Sequence, residues 1–290
     1  MNVSKKGCPI PSVEDQPLIH PFEEHPDRTL FALSIPVLFS LIAEPLTGLV
    51  DTAFIARLGT EPLAALGVGT TVLSSIFWIF NFLGIGAQTE VAQAAGRRES
   101  SHAGRINTLA LLLAAAAGIL IILIGVPLSP AISVALGATG ALKQYAVEYV
   151  NIRWYGAPAV LLTMTAFGTL RGLQEMRIPL VVAVGVNVLN IILDSVLIFG
   201  YGFIPPMGIS GAAIASVISQ WIGAIWAVWA VLGRLGISRA FDMRDTRRLL
   251  QIGGDLFVRT GLLNLFLIFT TRAATRIGAE SGAAHQAIRQ

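Results

Sequence analysis

Two apolar stretches of this 290-residue chain keep acids and amides that lipid would rather exclude. The first, "LFSLIAEPLTGLVDTAFIARLG" (38–59), carries Glu44 and Asp51. The second, "PLVVAVGVNVLNIILDSVLIFG" (179–200), carries Asn187, Asn190 and Asp194. A carboxylate at the centre of a bilayer costs about 2.5–3.5 kcal/mol on insertion scales. Glu44 and Asp51 are seven residues apart. That is two helical turns, so both lie on one face, about 10 Å apart along the axis. Asn187, Asn190 and Asp194 fall at i, i+3 and i+7, again one face. Carboxylates and amide oxygens at similar depth on two helices can form a pocket for a proton or another small cation. Ionisable groups inside a membrane more often mark such a path than not. The structural alternative leaves each acid satisfied by Arg153 or a backbone group, or placed at the water interface.

Other chemistries find less support. Cys8 is the one cysteine, so no disulfide and no CxxC metal pattern can form. His20, His25, His102 and His285 are scattered, and no metal site is expected of them. "GVGTT" and "GISGAA" are glycine-rich, yet they have neither a strand-to-helix setting nor a phosphate-binding lysine. "IGGD" at 252–255 lacks the GxGD spacing of intramembrane aspartyl proteases. An enzyme is not expected.

The elements that must carry these residues are membrane helices. Hydrophobic residues make up 54% of the chain and charged ones 13%, with mean hydropathy +0.71. A soluble domain has about a quarter of its residues charged, and half that charge cannot coat a surface facing water. The expected fold is all-α, a polytopic membrane helical bundle. Apolar runs of about 20 residues place spans at about 30–53, 63–88, 106–128, 146–169, 179–200, 209–233 and 248–271, with an eighth starting near Ser281. Pro36 and Pro45 are expected to interrupt the first span, and Pro158, after Gly156, the fourth, each freeing backbone carbonyls and allowing a bend. Pro36, Pro45 and Glu44 are candidates for a substrate path.

Thirteen Lys and Arg residues, from Lys5 to Arg248, fall in the tail and in the loops after spans two, four and six. The alternate loops carry Arg57, Lys143 and Arg276. This bias predicts a cytoplasmic N-terminus in a multi-pass protein of the cell's inner (plasma) membrane. Residues 1–27 hold charges of both signs and no apolar core, so they read as a cytoplasmic tail rather than a signal peptide. The net charge of +3 comes from these membrane loops, and nucleic acid is not an expected partner.

Sliding the sequence along itself by 219 positions lays Arg28 over Arg247 and Arg57 over Arg276. It also brings Gly59 to Gly278, Glu61 to Glu280 and Ala65 to Ala284. Six spans lie between the copies, so both enter from the same side, as in a parallel repeat of secondary transporters. The expected organisation is a six-helix lobe at 28–236, a cytoplasmic linker at 237–247 and the start of a second lobe at 248–290. Doubling the repeat predicts twelve helices in the full protein and a chain that breaks off early in its second half. Thr270 stands where the repeat places Asp51, so the halves are chemically unequal. Arg259, Arg272 and Asp255 are its polar positions.

Three stretches, "PVLFSLIAEPLTGLVDTAFIARLGTEPLAALGVG", "TLRGLQEMRIPL" and "NVLNIILDSVLIFGYGFIPPMGISGAAIASVISQ", resemble the MATE (multidrug and toxic compound extrusion) transporters, the DinF-like branch above all. The resemblance implies two six-helix lobes around a central cleft that rock between inward and outward openings. It implies an antiporter coupled to H⁺ or Na⁺ that exports organic, often cationic or amphipathic, compounds. It maps the amino-terminal cation site onto Asp51 of "VDT", Asn190, Asp194 and Ser216, a serine where the family usually has threonine. Glu44 is not part of that motif. No cofactor is implied beyond the coupling ion, and the expected partners are a small organic substrate and the bilayer, with the protein a monomer. The alternatives are a flippase for a lipid-linked or polyanionic substrate, with Arg153, Arg259 and Arg272 lining its cavity, or a membrane fragment that does not transport.

Overall fold

Helix α1 (Pro26–Ala56) opens the described part of the chain. The computed structural model describes residues 26–238, with isolated positions at 251, 254, 258 and 262. The chain continues through α2 (Thr60–Phe80), α3 (Phe82–Gly96), α4 (Ser100–Ala135), α5 (Gly140–Trp154), α6 (Ala157–Gly172), α7 (Arg177–Phe199) and α8 (Gly208–Leu235). Among the described residues the only β-pairing is a single antiparallel bridge, Tyr201 with Ile204. Among the described residues, four stretches are long and apolar enough to cross a membrane: Thr60–Gly96, Ser100–Ala135, Arg177–Phe199 and Gly208–Leu235.

Small residues fill the interior and large apolar ones face out. Ala65, Ala87, Ala114, Ala157, Ala166, Ala213 and Ala227 are fully buried, while Leu123, Ile225 and Trp229 are 67%, 65% and 74% exposed. This inverts a water-soluble core, because lipid tails solvate leucine as well as a protein interior does and helices associate through close backbone contact. The contact of α3 with α6 rests on Gly84, Gly168 and Gly172. A Cβ on Gly168 would stand 2.1 Å from the Gly84 carbonyl oxygen, and one on Gly172 2.6 Å from that of Gln88. Gly118 of α4 likewise admits the backbone of Pro158, which a Cβ would meet at 2.3 Å.

The breaks in the helices follow local chemistry. The fourth span divides at Tyr155–Gly156, just before Pro158, as expected. The Tyr155 carbonyl freed there accepts a hydrogen bond from Trp221 Nε1 at 3.0 Å, which meets the demand that backbone groups at membrane depth be satisfied. The first span behaves otherwise. Helix α1 runs unbroken through Pro36 and Pro45, so neither proline interrupts it, and 31 residues of helix replace the shorter span read from hydropathy. The second span extends to Gly96 with one turn residue at Asn81, and the third reaches from Ser100 through Pro127 and Pro130 to Ala135. Both exceed the apolar runs because the helices continue into their polar ends. The tail before Pro26 lies outside the described residues, as does the second copy of the repeat apart from those isolated positions, with Asp255, Arg259, Thr270 and Arg272.

Candidate functional site

Asp51 and Asp194 are 143 positions apart in the chain, and the packing of α1 against α7 brings them together. Phe54 and Phe199, near the C-terminal ends of these helices, pack edge to face, with ring centroids 5.8 Å apart. Asp194 is fully buried and Asp51 half-buried. Their carboxyl groups lie within hydrogen-bonding reach of each other. Both oxygens of Asp194 and Oδ1 of Asp51 have no N–H or O–H donor among the described residues. An ionised carboxylate only accepts hydrogen bonds. Two of them can share one only if a proton sits between them, and otherwise a cation must offset their repulsion.

Asn190, one turn before Asp194 on α7, is buried at 4% exposure, and its Nδ2 has no acceptor among the described residues. An amide can present either an N–H or an oxygen, so this side chain suits a site whose charge changes. Asn187 is half-buried a further turn along the helix. Ser216 is buried on α8, one turn from Gln220, and donates to neither oxygen of Asp194. Pro36 is half-buried and Pro45 exposed on α1. Glu44 belongs to the same helix, and its side chain lies outside what is described.

The first half of the fourth span, α5, closes the pocket from a third side. Tyr149 is buried in a notch left by Gly69 of α2, where a Cβ would meet its ring at 2.4 Å. Arg153 lies one turn further on. Its Nη1 donates to Gln220 Oε1 of α8 at 3.0 Å, and the Tyr149 hydroxyl is within reach as a second acceptor. The guanidinium acts by charge on both Asp51 and Asp194. Gly156, at the helix break, makes room for the glutamine: a Cβ there would stand 2.4 Å from Gln220 Oε1. Sequence reasoning named Arg153 only as a counter-charge or cavity residue and did not name Tyr149 or Gln220. The i, i+4 pairing of Tyr149 with Arg153 inside an apolar run was the available signal.

The sequence pattern of the MatE family matches residues 36–196. The chain is 35% identical over 265 residues to DNA damage-inducible protein F of Escherichia coli (strain K12), covering 88% of this chain and 56% of that protein. It is 25% identical over 283 residues to the probable multidrug resistance protein NorM of Thermotoga maritima, covering 92% and 59%. Among solved structures, that of a MATE protein in the straight conformation superposes with TM-score 0.77 at 25% identity, covering 89% of this chain and 58% of that one. A MOP superfamily transporter from Pyrococcus furiosus gives TM-score 0.76 at 25% identity, with the same coverage. The chain spans somewhat more than half the length of these relatives.

Proposed function

From the premise that this chain belongs to the MatE family of membrane transporters, we propose that the protein exports organic compounds, often cationic or amphipathic, in exchange for an entering cation. The observation that carries this reading is the meeting of Asp51 and Asp194 in lipid-facing helices, with no hydrogen-bond donor for either oxygen of Asp194 among the described residues. A buried acid pair without donors binds a proton or cation when it faces one solution and gives it up when it faces another. That exchange is what an antiporter needs. Entry of one charge down 100 mV is worth about 2.3 kcal/mol, enough to hold roughly a fifty-fold gradient of an exported solute.

In this reading Asp51 and Asp194 hold the coupling ion, and Asn190 adjusts its hydrogen bonds as their charge changes. Asn187 and Ser216 lie further along the same two helices as additional polar contacts. The movement is alternating access of two lobes, with residues 28–236 forming the first and 248–290 beginning the second. The protein works as a monomer in the inner membrane with its N-terminus in the cytoplasm. The engagement of Arg153 by Gln220 weighs against a flippase, which needs cavity cations free to meet an anionic substrate.

Asp51→Asn in the complete gene product tests the proposal. Energised cells expressing the wild type are expected to extrude ethidium, and the variant to do so at least ten-fold more slowly at equal membrane abundance. Unchanged efflux by the variant would reject a coupling role for the pair.

A further inference from the structure

We propose that the side of α5 turned away from the carboxyl pair binds one phospholipid whose headgroup carries a primary ammonium, held by Lys143, Glu148 and Asn151. This site is separate from the carboxyl pair and does not depend on the antiport reading.

A cavity of about 580 Å³ opens on that side, lined by Pro130 of α4 and by Lys143, Gln144, Glu148 and Asn151 of α5. Residues 140, 144, 147 and 151 recur at helical spacing and form one stripe. Tyr149 and Arg153, which meet Gly69 of α2 and Gln220 of α8, lie on the other side of the helix. Trp154 ties α5 to α4 on one flank of the stripe. On the other flank, Ser210 Oγ of α8 donates to Glu148 Oε1. The cavity is thus the polar end of a groove between α4 and α8, with α5 as its floor. Toward the membrane centre the walls turn apolar. Ile119 and Leu123 share the face of Pro130, at i−11 and i−7 on α4. Opposite them Trp221 of α8 is bonded to the carbonyl of Tyr155, and all four side chains are exposed.

Charge decides the occupant. Lys143 and Glu148 are exposed, and neither is in an ion pair among the described residues. They stand five residues apart, about 7.5 Å along the axis. Lys143 can carry its ammonium to the interface on a long stem. Glu148, deeper in α5, has less reach, and a carboxylate against lipid is costly unless a cation meets it. Ser210 gives it a hydrogen bond but no charge. An aminophospholipid brings both signs: its phosphate accepts from Lys143, and its ammonium donates to the second oxygen of Glu148. Asn151 adds an acceptor, since it lines the same cavity and its Oδ1 has no donor among the described residues. A half-turn of the amide exchanges its oxygen and nitrogen and presents that acceptor to the headgroup. A choline headgroup has no N–H to give, and a glycerol headgroup has no positive charge. The acyl chains follow the apolar walls, which a soluble zwitterion would leave uncovered.

Thermal unfolding of the purified complete gene product in detergent tests the site, with dioleoyl phosphatidylethanolamine, phosphatidylcholine or phosphatidylglycerol added at equal mole fraction. Phosphatidylethanolamine is expected to raise the unfolding temperature by roughly 3 °C more than either of the others, as follows when a ligand exceeds its Kd about ten-fold. Lys143→Ala combined with Glu148→Gln is expected to remove that difference. Both side chains are exposed, and glutamine keeps an acceptor for Ser210. Equal rises with the three lipids would overturn the proposal on the wild type alone, whatever the variant does. So would a preference for phosphatidylethanolamine that survives in the double variant. A rise of the same size from soluble glycerophosphoethanolamine would show that the headgroup binds without its chains, and would overturn the lipid assignment too.

Discussion

Trp154 and Arg153 are neighbours in the chain that tie α5 to different partners. Arg153 reaches Gln220 on α8, whereas the indole of Trp154 is fully buried against Gly125 of α4. A Cβ on that glycine would meet the ring at 2.7 Å. Trp154 Nε1 donates to Ser129 Oγ at 2.8 Å, and that hydroxyl donates in turn to the Gly125 carbonyl at 2.8 Å. Trp154→Phe keeps most of the packing and loses one bond to a hydroxyl whose own donor stays satisfied, at an expected cost of about 1 kcal/mol. Trp154→Ala opens a cavity and is expected to cost about 3–5 kcal/mol. Thermal unfolding in detergent should rank the two in that order. Equal losses would mean that the hydrogen bond, not the volume, holds α5 to α4. The aspartates follow a different rule, since their mutual repulsion is offset by the charge of Arg153 rather than by packing.

At the level of helices, the glycine contacts set the geometry. The backbones of α3 and α6 touch at Gly84 and Gly168, so no side chain larger than hydrogen fits between them. Gly168→Ala must push the two helices apart, and overpacking of this kind costs about 1–3 kcal/mol. A lowered unfolding temperature in detergent is the expected result, and an unchanged one would show that the contact is slack. Proline behaved unevenly. Pro158 coincides with a real division of the fourth span, while α1 carries Pro36 and Pro45 without a break. The difference is the partner: Gly156 precedes Pro158, and Trp221 is placed to satisfy the Tyr155 carbonyl. A proline in the sequence frees a carbonyl, but the neighbouring helix decides whether a break there can be satisfied.

For the whole molecule, the distribution of basic residues predicts which ends of the helices face the cytoplasm, and a labelling experiment can read it directly. Cys8 is the one cysteine of these 290 residues, so Cys8→Ser removes their native thiol. Phe203, in the turn between α7 and α8, is fully exposed, and Ser100, at the start of α4, is exposed as well. A membrane-impermeant maleimide added to intact cells is expected to modify Phe203→Cys. Ser100→Cys should react only after the membrane is opened. The reverse pattern would invert the topology.

Hydropathy acts on each stretch of chain by itself, and so the sequence alone determined that this is a helical membrane protein and which polar residues stand in its apolar stretches. Asp51, Asn190 and Asp194 stood out because each is costly in its own helix, whatever surrounds it. Their partners did not stand out. That Asp51 meets Asp194, that Arg153 is tied to Gln220, and that Tyr149 fills the notch at Gly69 depend on how the helices are rotated about their axes and how closely they approach. Those quantities are set by glycine notches between elements far apart in the chain, and only the tertiary structure decided them.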